Sequence, residues 1–190
     1  LNVPETALYG ATTQRALLNF PISELRFSRT FIKSIAEIKR CAAETNLELG
    51  TIEKNISDEI IKAAEAVSEG KYDEEFVVDI FQTGSGTSTN MNANEVISNV
   101  AIKNLGGDIG SRSPLHPNYH VNKGQSSNDV IPTAIHIAGC VGITESLIPS
   151  LEKLKNSLSE KSEEFWDVIK TGRTHLQDAT PIRLGQEFLG

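Results

Sequence analysis

Apolar residues recur at three- and four-residue steps through most of the chain, which predicts a mainly α-helical protein. Between about Ser28 and Leu49 the stripe is Ile32, Ile35, Ile38 and Ala42, and Gly50 can end the last turn. A second helix is predicted over about Ile52 to Glu69, with Ile56, Ile60, Ala63, Ala64 and Val67 on one side and Gly70 as its stop. A third follows the glycine-containing break at Thr83–Thr89. It carries Met91, Val96, Ile97, Val100 and Ala101 to about Leu105 and halts at Gly106-Gly107. The longest periodic element starts near Ser127. Val130, Ala134, Ile137, Val141, Thr144, Ile148, Leu151 and Leu158 lie close to a heptad stripe, the pattern of a helix in a long bundle. Pro132 is expected in its first turn, and Pro149 should kink or split it. Phe165, Trp166, Val168 and Ile169 extend the apolar surface. A last helix is predicted from Pro181 to the final residue, Gly190, with Thr180 as N-cap. Residues 1 to 22 show no sustained period and read as extended or irregular, and Phe76–Phe81 fits a strand or a buried turn equally.

Three polar stretches interrupt these helices. The first is Gly84-Ser85-Gly86-Thr87 leading into Asn90. Glycines let a backbone approach a ligand, a helix N-terminus offers free N–H groups to an anion, and Ser85, Thr87 and Asn90 add side-chain donors. A glycine turn with a Ser/Thr cap explains the same string, and it lacks the spacing of a phosphate-binding loop. The second runs from Asn122 to Asp129. Ser126, Ser127 or Asn128 could cap the long helix there, or the three could surround an anion with Lys123 nearby. The third, Gly172 to Pro181, holds Arg173, Thr174, His175, Gln177, Asp178 and Thr180. His175 stands out because imidazole titrates near neutrality and can move a proton either way. Arg173 and Gln177 could orient a carboxylate or the ring. Three donor-rich, mostly uncharged loops suggest a pocket for small carboxylates at the ends of bundle helices.

Composition narrows the field. The 25 acidic against 18 basic residues give a net charge of -7, which argues against a nucleic-acid partner. No apolar run approaches the ~20 residues of a membrane span, so no membrane partner is expected. The N-terminus lacks the basic and apolar regions of a signal peptide, and it lacks an initiator Met. Cys41 and Cys140 read as small buried side chains in a reducing compartment. The histidines show no zinc spacing, so no metal is expected. His136 reads as a packed, hydrogen-bonded histidine beside the apolar stripe.

At the three polar stretches the chain resembles the fumarase/aspartase superfamily, and within it the class II fumarases. The strings are Gln82-Thr83-Gly84-Ser85-Gly86-Thr87 with Asn90-Met91-Asn92 and Asn94-Glu95, Val121-Asn122-Lys123 with Gln125 to Asp129, and Gly172 to Pro181. Histidine at 175, where aspartases typically carry glutamine, favours the fumarases. The resemblance implies a mostly helical N-terminal domain over residues 1–125, then the first, truncated part of a central helical bundle over 126–190. It implies a cytoplasmic homotetramer of the tricarboxylic acid cycle, converting L-malate to fumarate by reversible anti elimination of water without cofactor or metal. Thr174 and His175 would be catalytic, with Ser85, Thr87, Asn90, Ser126, Ser127 and Asn128 binding substrate. His116 and Asn118 match an accessory dicarboxylate site. Its Arg position falls at Ser113, beside Arg112, and its Asp position at Tyr119, so that site is expected to be altered. The family's catalytic serine loop, Gly-Ser-Ser-x-Met-Pro-x-Lys-x-Asn, does not occur here. The chain is therefore expected to be an N-terminal portion without turnover of its own. Another superfamily lyase such as aspartase, or a non-catalytic helical assembly module, are the alternatives.

Overall fold

A computed structural model describes residues 1–190, in two compact units, Leu1–Cys140 and Val141–Gly190. In the first, α1 (Ala11–Asn19), α2 (Arg29–Glu48), α3 (Lys54–Ser68) and α4 (Thr87–Asn104) precede α5 (Ser127–Gly142). Ser28 caps α2 by accepting from the Phe31 amide at 3.4 Å. The stripe of α2, with Ile32 and Ile35, packs in one core with Ile56, Ile60, Ala64 and Val67 of α3. Arg29 closes the far end of α3 by donating to the carbonyls of Val67 (3.0 Å) and Ser68 (2.7 Å) while pairing with Asp73.

Helix α4 is buried on nearly all sides, yet half of that buried surface is polar: Asn90, Asn92, Asn94, Glu95, Ser98 and Asn99 lie beside Val96, Ile97 and Val100. Polar groups persist in a core when they are hydrogen-bonded. Asn92 donates to the Glu75 carbonyl (2.8 Å), Ser98 to that of Leu115 (3.2 Å), and Asn99 to that of Leu8 (2.8 Å). Glu95 accepts from the amides of Gly10 (2.9 Å), Thr12 (3.0 Å) and Thr13 (3.0 Å) and from the Thr13 hydroxyl (2.7 Å). Its carboxylate thus caps α1, a helix that the sequence pattern does not predict. The cap comes from a residue more than eighty positions away and favours negative charge at a helix N-terminus.

Other expectations are corrected. The Phe76–Phe81 run, open between a strand and a buried turn, is an irregular and mostly inward segment held by Asp79, which accepts from the Phe81 amide at 2.8 Å. Pro132 lies in the second turn of α5, not the first, and its missing N–H leaves the Asn128 carbonyl without a helical donor. The predicted split occurs as a π-helical turn, Ile143–Leu147, and Pro149 then opens α6 (Ile148–Glu164). Cys41, Cys140 and His136 are exposed, because they lie off the buried faces of their helices. Of the long stripe only Val130 and Ala134 are buried; Ile148, Leu151 and Leu158 face outward. An 18-residue window within Ser127–Glu164 has mean hydropathy 1.4 and is 6% buried, so by length and composition this stretch does reach the threshold of a membrane span. The exposed apolar side is equally that of a bundle helix.

In the second unit a hairpin takes the first three residues of the helix predicted from Pro181. Strand β1 (Ile169–Thr174) pairs antiparallel with β2 (Gln177–Arg183), and α7 begins only at Leu184. Thr180 therefore sits in a strand and caps nothing, while Pro181 stands opposite Thr171. Gly172 is set against Ala179 and Thr180 at a bulge, where a Cβ would come 2.8 Å from the Thr180 carbonyl oxygen. Ser162 donates to the Gly185 carbonyl at 2.8 Å and ties α7 to α6.

Another buried charge of the first unit, besides Glu95 and Asp79, is Lys39, on the core face of α2 and fully enclosed. Burial pushes its ammonium down from 10.5 to about 7. Two expectations follow from these charges. Glu95→Ala removes the acceptor of three amides and should destabilise the chain by about 2–4 kcal/mol, read from urea unfolding. For Lys39, between about 7 and 10.5 only the unfolded chain holds the proton, so stability rises with pH across that window, by at most ~1.4 kcal/mol per pH unit. Comparing urea midpoints of wild type and Lys39→Met at about pH 6.5 and 9 should show this rise in the wild type and its loss in the variant.

Candidate active site

Two of the polar stretches meet in the first unit. Gly86, the residue before α4, has φ +67°, a conformation suited to glycine, and no side chain caps the helix end. A Cβ on Gly86 would come within 2.9 Å of Ile131, so the loop is seated directly on the first turns of α5. Gln82 closes the loop from the other side. Its side chain accepts from the Thr89 amide (2.9 Å) and donates to the Thr89 hydroxyl (2.6 Å). Ser85 and Thr87 are exposed, with their hydroxyls 2.9 Å apart, beside the uncapped end of α4. An uncapped helix N-terminus flanked by two hydroxyls is an anion-binding arrangement.

Behind this surface lies a hydrogen-bonded chain. Asn90 donates to the Asn122 side-chain oxygen and to the Ser127 hydroxyl oxygen, both at 3.1 Å. The same Asn122 oxygen accepts from Lys39 at 2.9 Å, and the Gln125 side-chain oxygen accepts from Lys39 at 2.8 Å. Asn122 and Gln125 are braced in turn: the amide of Asn122 donates to the Gln125 carbonyl (3.1 Å) and that of Gln125 to the Val121 carbonyl (2.9 Å). The Asn90 side-chain oxygen is buried and without a partner.

The remaining expected residues divide. Ser126 caps α5, accepting from the Asn128 amide at 3.2 Å. Asn128 is exposed. Thr174 and His175 belong to the second unit, at the end of the hairpin. His175 and Leu176 form its two-residue turn with φ of +48° and +59°. Two successive left-handed residues make the turn that suits a two-residue hairpin, usually built from asparagine and glycine. Neither residue is of that kind, and strained backbone of this sort concentrates at functional positions. Arg173 pairs across the hairpin with Asp178 at 3.3 Å, so it orients its own neighbour.

His116 and Asn118 share one turn before α5. The His116 Nδ1 accepts from the amides of Asn118 (3.1 Å) and Tyr119 (3.3 Å), which leaves its other nitrogen as the donor. Partial burial, and then the charge of Arg112, hold His116 below its ordinary value. Tyr119 stacks on its ring at 4.4 Å.

Sequence reasoning missed Lys39 altogether. It lies four residues after Ile35 on the same helical face, and a lysine in that register was the available signal.

The chain matches a family model described as lyase over residues 1–190. It is 54% identical over 190 residues to a class II fumarate hydratase of Halobacterium salinarum, covering all of this chain and 40% of that protein. It is 52% identical over 192 residues to the mitochondrial fumarate hydratase of Homo sapiens, covering 38% of it. Among solved structures, a class II fumarase of Schistosoma mansoni superposes with TM-score 0.90 at 46% identity, over 100% of this chain and 40% of that one. The chain thus spans about 40% of the length of these relatives. A match running from Leu1 to Gly190, with the fold in common, means that this chain belongs to the lyase family that includes the class II fumarate hydratases.

Proposed function

We propose that the protein of which this chain is a part is a fumarate hydratase, interconverting L-malate and fumarate within the tricarboxylic acid cycle. The observation that carries this reading is the pairing of the Asn90 amide with Ser127, which brings the ends of α4 and α5 together. In the elimination a proton leaves the carbon beside a carboxylate, charge builds on that carboxylate, and hydroxide or water departs from the neighbouring carbon. Fixed hydroxyl and amide donors aimed at the carboxylate lower that barrier. Ser85, Thr87, Ser126, Ser127 and Asn128 are assigned to hold the substrate carboxylates, and Asn90, whose two N–H bonds go to Asn122 and Ser127, is assigned to the site as the residue that orients Ser127. Thr174 and His175 are assigned to the reacting centre, where the imidazole assists proton transfer or departure of the leaving group. The strained turn under His175 supports that assignment. The base that takes the carbon-bound proton is assigned to the family's serine loop, whose sequence does not occur in these residues.

A homotetramer completes the reading. The outward-facing Ile148, Leu151 and Leu158 on α6 support burial against other helices. His116 and Asn118 are proposed as the remnant of an accessory dicarboxylate site, with Ser113 and Tyr119 replacing a charged pair. In the full-length gene product His175→Asn should lower kcat for L-malate by at least ~100-fold, the low end for losing a general acid or base. Turnover within a few-fold of wild type would remove His175 from the chemistry.

A further inference from the structure

Lys39 has no counter-charge. No carboxylate pairs with it, and its partners are the side-chain oxygens of Asn122 and Gln125. A fully enclosed lysine without an anion is unfavourable for folding, so its retention calls for a role. The role lies in the direction of the hydrogen bonds. The ammonium donates and cannot accept, and in the neutral amine both remaining N–H bonds are taken by the Asn122 and Gln125 oxygens. Asn122 must therefore turn its oxygen, not its nitrogen, towards Lys39. That same oxygen can only be met by the nitrogen of Asn90, which spends its other hydrogen on the Ser127 oxygen. Ser127, having accepted, is left with its own O–H free to donate. The Asn90 oxygen, facing away from both partners, is left as an acceptor.

We propose that Lys39 is a positioning residue that sets the polarity of the Asn122–Asn90–Ser127 chain, so that the Ser127 hydroxyl presents a hydrogen-bond donor to a substrate carboxylate. This rests on the fumarate hydratase reading and deepens it. Lys39 on the oxygen side and the Gln125 carbonyl on the nitrogen side together hold Asn122; with an apolar side chain at 39 only the bond to that carbonyl remains, and each reversal of Asn122 reverses Asn90 with it and turns the Ser127 O–H inward. The carboxylate then meets a lone pair instead of a proton. Deprotonation of Lys39 does not undo the arrangement, because a neutral amine keeps two N–H bonds for the two oxygens it serves. The ammonium, when present, adds a favourable field for a dianion.

The test is kinetic and uses the full-length gene product with L-malate, following fumarate absorbance. Lys39→Met should raise KM by about tenfold or more, the value of one charge-assisted hydrogen bond, while kcat moves by less than about threefold. Lys39→Gln, which keeps two N–H donors, should fall between Lys39→Met and wild type. In an Asn122→Leu background, where the chain is already broken, adding Lys39→Met should change KM by less than about twofold. Should Lys39→Met not fold, Asn122→Leu alone carries the test, with the same expected rise in KM. An active wild type combined with a KM within about twofold of normal in the folded variant overturns the role of Lys39 and leaves the hydratase reading standing. A wild-type protein that forms no fumarate overturns both.

Discussion

The arrangement of the first unit depends on one constraint: α4 passes through the core carrying amides and a carboxylate, and each needs a partner. Apart from the Asn90 and Asn94 side-chain oxygens, the constraint is met by neighbours from across the sequence. Glu95 gathers the start of α1, Asn92 and Asn99 hold the segments around Glu75 and Leu8, and Ser98 reaches Leu115. An apolar helix of the same length would pack with less positional demand, because dispersion contacts tolerate small slides whereas hydrogen bonds do not. The polar core therefore does more than hold the unit together. It fixes where the N-terminus of α4 lies, and with it Ser85, Thr87 and Asn90.

The candidate site inherits that rigidity. Asn90 lies in the first turn of α4, next to the buried Thr89, and it reaches the opening of α5. Beneath it Lys39, donating to the Asn122 oxygen while the Gln125 carbonyl takes the Asn122 nitrogen, removes the ambiguity an amide otherwise has about which end to turn. Preorganised donors act on a developing negative charge without having to reorient, which is the main way a site of neutral side chains accelerates an elimination beside a carboxylate. The mostly uncharged character of the three loops thus agrees with the chemistry.

Much of this was legible in the sequence. Helices α2, α3 and α4 follow their apolar periods and end where glycines permit, and the helix-end loops announce themselves by their density of donors. Helix α1 was hidden because its cap is Glu95, remote in the chain. The hairpin was hidden because Thr180-Pro181 imitates a helix start, while its turn at His175-Leu176 lacks the usual asparagine or glycine. Exposure of Cys41, Cys140 and His136 was missed because a period reports which residues share a face, not how much of that face finds a partner. Lys39 falls on an apolar face, where the period alone says nothing about a charged residue.

The most direct measurement on the account as a whole is a side-by-side assay of the full-length gene product with L-malate and with L-aspartate, following fumarate. Fumarate from L-malate alone is the expected result. Fumarate from L-aspartate instead would keep the helix-end donors and the fold, but would contradict the assignment of His175 and of the hydratase reaction.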